Sequence, residues 1–266
     1  MKAHLRRLVE GEGHPLAREL LVREYLQARV LHTLQDRGTF TRWAFLGGTA
    51  LRFLYAMPRF SEDLDFAQIA PGADPGLAAA LRDVRSALGS EGYQVEVTVK
   101  TRTAVASGFV KFPGLLHELG LSPRRAQTLS VKVEVDTNPP ASAGLETTLV
   151  RRHVTLHLCH HDKPSLLAGK LHAILARPWT KGRDLYDLAW YLADRSWPAP
   201  NLPLLNAALA QTGWSGPALT GDTWTFAVRE RLARCDWAQA QADVRPFLEH
   251  ERDVQLVSAE ALAGVL

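Results

Sequence analysis

The sequence predicts an α+β chain: a small mixed sheet flanked by helices over residues 1–160, then a mainly helical region over residues 161–266. Three observations predict it. Alternation of apolar and polar residues, the mark of a half-buried strand, occurs in the first part, most cleanly in LSVKVEVD, Leu129 to Asp136. Apolar residues at helical spacing dominate from Ser165 onward, in SLLAGKLHAILAR, DLYDLAWYLADR and LPLLNAALAQ. Between Gly47 and Phe66 the run GGTALRFLYAMPRFSEDLDF reads as turn, helix and returning strand.

In chain order, Pro15 to Gly38 carries Leu20, Leu21, Tyr25, Val30, Leu31 and Leu34 along one stripe and ends at a glycine, which predicts a long first helix. Trp43 to Leu46 is a short apolar strand. The glycines turn the chain into a helix from Ala50 to about Met57, stopped by Pro58. Leu64 to Ile69 is the second strand and PGADPG a loop. LAAALRDVRSALGSEG is a helix with a glycine exit, and YQVEVTVKT, Tyr93 to Thr101, a strand. In Leu129 to Asp136 the valines 131, 133 and 135 turn inward, so Lys132, Glu134 and Asp136 share the opposite face. After NPPASAG, VRRHVTLHL reads as the last strand. The C-terminal stretches TWTFAVRERLARCDWAQAQADVRPFLEHER and VSAEALAGVL continue the helical region.

The 266 residues allow one large domain or two small ones, and 46% apolar with 22% charged residues is ordinary for a globular protein with a packed core. A formal net charge of +3 and a pI near 9.0 permit a nucleic-acid partner without demanding one. The cysteines, Cys159 and Cys235, are too few for a disulfide framework, and no apolar run predicts a signal peptide or membrane span; a cytoplasmic protein is expected.

Asp63 and Asp65 flank Leu64, so on a strand both carboxylates face one way while Leu64 and Phe66 face the other. Two like charges that close repel unless a cation lies between them. The Gly47–Gly48–Thr49 turn opens a helix, where unpaired N–H groups and the helix dipole favour phosphate. Turn and aspartates together predict a Mg²⁺-bound triphosphate. A third carboxylate, as metal ligand or base, comes from Glu134 first and Asp136 second. Arg59, Arg177 and Arg183 are further phosphate or RNA contacts by their guanidinium chemistry.

GGTALRFLYAMPRFSEDLDF resembles the signature of the DNA polymerase β-like nucleotidyltransferase superfamily, a small-residue turn followed by Asp-x-Asp. Together with AGKLHAILARPWTKGRDLYDLAWYL it is similar, over roughly Phe45 to Leu192, to the AbiEii/AbiGii family of nucleotidyltransferase toxins. Thirteen residues separate Thr49 from Asp63, a longer gap than that pattern usually has, and threonine stands where serine is common. The resemblance implies a nucleotidyltransferase fold. It also implies metal-dependent transfer, with Mg²⁺ or Mn²⁺, of a nucleotide from an NTP to an acceptor hydroxyl, with release of pyrophosphate. In related toxins the acceptor is the 3′ end of tRNA, whose modification blocks translation as part of toxin–antitoxin and abortive-infection (phage defence) systems. A winged-helix antitoxin would be the cognate partner. By motif position Asp63 and Asp65 take the metal, Gly48 and Thr49 the phosphate, Lys170 the triphosphate charge, and Asp184 an activity-linked carboxylate. The NTP would then lie in a cleft completed by the helical region.

Plainer readings accompany these. Lys170 borders the apolar stripe of Leu167, Leu171 and Ile174, where a lysine snorkels. Asp184 is placed to cap a helix starting at Leu185, with Asp187 imitating a capping box. HLCHHD, residues 157–162, holds zinc-type ligands, but alternation on a strand splays them apart. The tryptophans of the C-terminal region are core residues by default. Nucleotidylation or phosphorylation of a protein or small molecule, or a non-enzymatic nucleotide-binding module, are the alternative functions.

Overall fold

Seven strands form one sheet in the order β3-β4-β5-β2-β1-β7-β6. They are β1 (Trp43–Leu46), β2 (Asp63–Gln68), β3 (Glu96–Lys100), β4 (Val105–Pro113), β5 (Thr128–Asp136), β6 (Leu145–Arg152) and β7 (Val154–His161). β1 pairs antiparallel with β2 and parallel with β7, and β2 pairs parallel with β5, which makes the sheet mixed. The computed structural model describes residues 2–72, 74–100 and 104–266. The chain divides into two units: Met1–Ala56, Phe60–Pro139 and Thr147–His160 form the first, and Met57–Arg59, Pro140–Glu146 and His161–Leu266 the second.

In the first unit the alternation of β5 is realised. Leu129, Val131, Val133 and Val135 are buried while Ser130, Lys132, Glu134 and Asp136 stay half-exposed on the other face. β2 does the same, with Leu64 and Phe66 buried and Asp63 and Asp65 half-exposed. The core behind β1 and β2 is aromatic: the Phe66 ring lies 5.3 Å from Phe45 and 5.4 Å from Trp43. Helices α1 (Lys2–Val9), α2 (Pro15–Asp36), α3 (Gly47–Tyr55), α4 (Leu77–Ser90) and the single turn α5 (Leu115–Glu118) complete the unit.

A buried polar knot ties α2, α3 and the β6–β7 bend together. Glu24 of α2, only 2% exposed, accepts from Arg52 of α3, from Arg152 at 2.8 Å and from His153 at 2.8 Å. Burial pushes the Glu24 carboxyl up, but the hydrogen bond from His153 and the charges of Arg52 and Arg152 outweigh it and hold it near 2.

The second unit contains α6 (Lys163–Ala176), α7 (Gly182–Ala193), α8 (Leu202–Gln211), α9 (Trp224–Leu232), α10 (Trp237–Val244) and α11 (Ala259–Val265). Side chains cap four of them: Asp162, Asn201, Asp236 and Ser258 accept from the third N–H of α6, α8, α10 and α11. Gly182 lets α7 meet α10, since a Cβ there would overlap the Ala240 carbonyl. The Trp197 ring stands edge-on to Trp190 at 5.0 Å and to Tyr191 at 4.5 Å, as packed aromatics do.

Several elements differ from the sequence expectations. β4 was not expected, nor α1, which buries Leu5 and Val9. The strand expected over Val150 to Leu158 is two strands, because His153 takes a left-handed φ of 60° and reverses the chain. α3 begins at Gly47 rather than Ala50 and ends at Tyr55, with Ala56 left-handed at φ 55°. The long C-terminal stretch breaks into α9 and α10 at the Asp236 cap. Thr101, at the end of the strand expected from Tyr93, and Ala73 of the PGADPG loop lie outside the described residues.

Candidate functional site

β1 delivers the chain into α3 through Leu46, which is extended, and Gly47, whose φ of 82° only glycine adopts without strain. The N-cap residue of α3 is Leu46, whose side chain makes no cap hydrogen bond, so the first-turn N–H groups of Gly47, Gly48 and Thr49 get no acceptor from it. Antiparallel pairing sets Leu46 opposite Asp65. The approach is so close that a Cβ on Gly47 would stand 2.5 Å from Asp65 Oδ2. The hydroxyl of Thr49, fully buried, donates to the backbone carbonyl of Asp63 and pins the start of β2 to the turn. Thr49 therefore acts on the strand; its backbone N–H, not its hydroxyl, is what it can offer a phosphate.

Parallel pairing of β2 and β5 sets which carboxylate of β5 is opposite the aspartates. Asp65 is the partner of Glu134 and Asp63 the partner of Lys132, whereas Asp136 is opposite Ala67. Side chains on paired residues point the same way, so Asp63, Asp65, Lys132 and Glu134 share one face. Lys132 Nζ lies 2.8 Å from Glu134 Oε2. Burial pushes the Lys132 ammonium down, but the hydrogen bond it donates to Glu134 and the charges of Glu134, Asp63 and Asp65 hold it above the usual lysine value. Asp136 is different: burial raises its carboxyl, and its Oδ1 accepts from the Asn138 N–H at 2.9 Å.

The negative field that holds Lys132 protonated would also draw a divalent cation, and oxygen-only donors suit a hard one. Among the described residues no group of three His, Cys, Asp or Glu side chains is gathered as a metal site. Asp63 and Asp65 fit as a pair, the usual protein share for Mg²⁺ completed by water and substrate phosphates.

The remaining sequence candidates lie in the second unit, where Arg59, Lys170, Arg177 and Asp184 join Asp187 in one ion cluster. Arg59 Nε and Nη2 each lie 2.6 Å from one oxygen of Asp187, a bidentate pair with Arg59 2% exposed and Asp187 fully buried. Lys170 Nζ reaches Asp187 at 2.7 Å and Asp184 at 3.1 Å, and Arg177 bonds the other oxygen of Asp184. Burial raises the Asp187 carboxyl, yet Arg59 and Lys170 outweigh it and hold it below the ordinary value. For Lys170 burial works against the charge, and Asp187 and Asp184 overcome it. Asp184 does not cap a helix at Leu185: it lies in the first turn of α7, which starts at Gly182. The Arg183 guanidinium stands over the Phe247 ring at 4.4 Å.

Sequence reasoning missed two participants. Lys132 was legible as a neighbour of Glu134 on the polar face of β5, but only the register brings it opposite Asp63. Asp187 enters the sequence reading only as the imitation of a capping-box partner to Asp184, because nothing in the sequence links it to Arg59.

Two solved structures are similar to the chain: JHP933 from Helicobacter pylori, with TM-score 0.53 and 17% identity over 92% of this chain and 90% of that one, and a candidate nucleotidyltransferase from H. pylori, with TM-score 0.53 and 19% identity over 91% and 93%. The likeness to both is one of fold. No curated protein sequence matches the chain. The family profile described as nucleotidyl transferase AbiEii toxin of a type IV toxin–antitoxin system matches residues 29–260, so the chain belongs to the AbiEii toxin family.

Proposed function

We propose that this toxin-type nucleotidyltransferase transfers a nucleotide from an NTP to a hydroxyl at the tRNA 3′ end, halting translation until an antitoxin restrains it. The observation that carries the reading is the close approach of Asp65 to the Gly47 turn, which suits a triphosphate at the start of α3 with its metal on the aspartates. The first-turn N–H groups of α3 hold the triphosphate. Asp63 and Asp65 would hold Mg²⁺ or Mn²⁺, which when bound offsets the charge of the phosphates. Glu134, paired with Lys132, accepts the proton of the acceptor hydroxyl. The hydroxyl oxygen forms its bond to the α-phosphorus as the bond to the β-phosphate oxygen breaks, and pyrophosphate leaves with the electron pair. Lys170 and Asp184 serve this chemistry indirectly, by holding α6 and α7 in register.

Incubation of the protein with each labelled NTP and total cellular RNA tests the reading. Label fixed on tRNA supports it. Label on protein or a small molecule, or NTP bound without turnover, would replace it with the corresponding alternative.

A further inference from the structure

A pocket of about 430 Å³ opens in the first unit between α1, the start of α2 and the segment after α5. Among the described residues three arginines, Arg6, Arg7 and Arg18, line it against one carboxylate, Glu10, over an apolar floor that includes Leu119 and Leu121. Arg6 Nη2 donates to the Glu118 carbonyl at 2.9 Å and Arg18 Nε to the Glu12 carbonyl at 2.5 Å, contacts that aim the guanidinium groups without neutralising them. Arg7 has no ion-pair partner among the described residues. Lys2 bridges to Glu118 and secures α1 to α5. All three arginines precede residue 29, where the family match begins.

The pocket lies at the sheet end where β2 starts. Five residues along α2 from Arg18, a rise of about 7.5 Å, Arg23 donates to the Ser130 carbonyl of β5 at 3.2 Å and pairs at 3.4 Å with Glu62, the neighbour of Asp63. We infer that Arg6, Arg7 and Arg18 form a binding site for the phosphate backbone of the acceptor RNA, several nucleotides back from the hydroxyl that reacts. Guanidinium forks match phosphate oxygens, and among the described residues no aromatic side chain lines the pocket to stack a base, so the contact reads charge and not sequence. This rests on the proposed transfer to RNA for its role, but its binding can be measured apart from it.

The experiment compares the full-length protein with Arg7→Glu and Arg7→Glu/Arg18→Ala, using a fluorescent tRNA transcript, a dinucleotide acceptor too short to reach the pocket, and a polyglutamate peptide. Arg7→Glu should weaken tRNA binding about tenfold, and each lost arginine should make the salt dependence shallower by roughly one unit of log–log slope. Turnover of the dinucleotide and the melting temperature should not change. Unaltered tRNA affinity and slope in both variants would overturn the inference, as would a loss confined to the polyglutamate peptide, which would assign the pocket to an acidic protein. If the unaltered protein labels no RNA while the variants still lose tRNA binding, the proposed transfer falls and the pocket stands.

Discussion

The carboxylate of Asp65 rests against the α-carbon of Gly47, with no room for a methyl group between them: a Cβ would stand 2.5 Å from Oδ2. Gly47→Ala therefore adds strain at a φ of 82°, about 1–2 kcal/mol, and pushes Asp65 off its position. An activity loss of about a hundredfold is expected, larger than the drop in stability explains. Single-turnover labelling alongside a melting curve checks it, and a wild-type rate would refute the geometry.

Asp63→Asn and Asp65→Asn should each abolish transfer, by roughly a thousandfold or more, and weaken Mn²⁺ binding read by calorimetry. Both side chains are half-exposed, so the melting temperature should hold. Chelation of divalent ions should reproduce the loss in the unaltered protein.

Glu134 and Asp136 sit two residues apart on one strand face, and only Glu134 is opposite Asp65. Glu134→Gln should therefore cost far more activity than Asp136→Asn. Equal losses measured at one NTP concentration would remove Glu134 from its role.

Asp187 is fully buried between Arg59 and Lys170. Asp187→Asn removes the negative charge that Arg59 and Lys170 share and should destabilise the protein by about 3–5 kcal/mol, roughly 10 °C in Tm. Asp184→Asn should cost less, because its partner Arg177 is 39% exposed. Thermal unfolding of the two variants, side by side, decides the order.

Glu24 predicts a pH dependence. Its folded-state value near 2 lies below the ordinary 4.5, so its contribution is fully present above about 4.5 and is lost as pH falls toward 2. The loss is on the order of 3 kcal/mol. Urea unfolding between pH 6 and pH 3 should show this slope in the natural chain and a flatter one in Glu24→Gln.

Much of the first unit was legible because its signals are local. Period-two alternation gave β5, and two glycines before an apolar run gave the turn into α3. β4 escaped because Gly108 interrupts its pattern; there the backbone is so close to Leu81 and to the Thr98 carbonyl that a side chain would collide. The bend at His153 escaped because Arg-Arg-His carries no turn chemistry, and the Glu24 knot stabilises a conformation that the local sequence does not favour. The pairing of Arg59 with Asp187 spans 128 residues, a separation at which spacing carries no information.

Residues Met57–Arg59 belong to the second unit although they lie between the glycine turn and the aspartate strand of the first. Neither unit is one uninterrupted run of chain. A recombination joint near residue 160 would inherit Arg59 from one parent and Asp187 from the other, and any mismatch would leave a charge without its counterion in the core. Genes for such a protein can drift by substitution on either side, but these two codons must travel together.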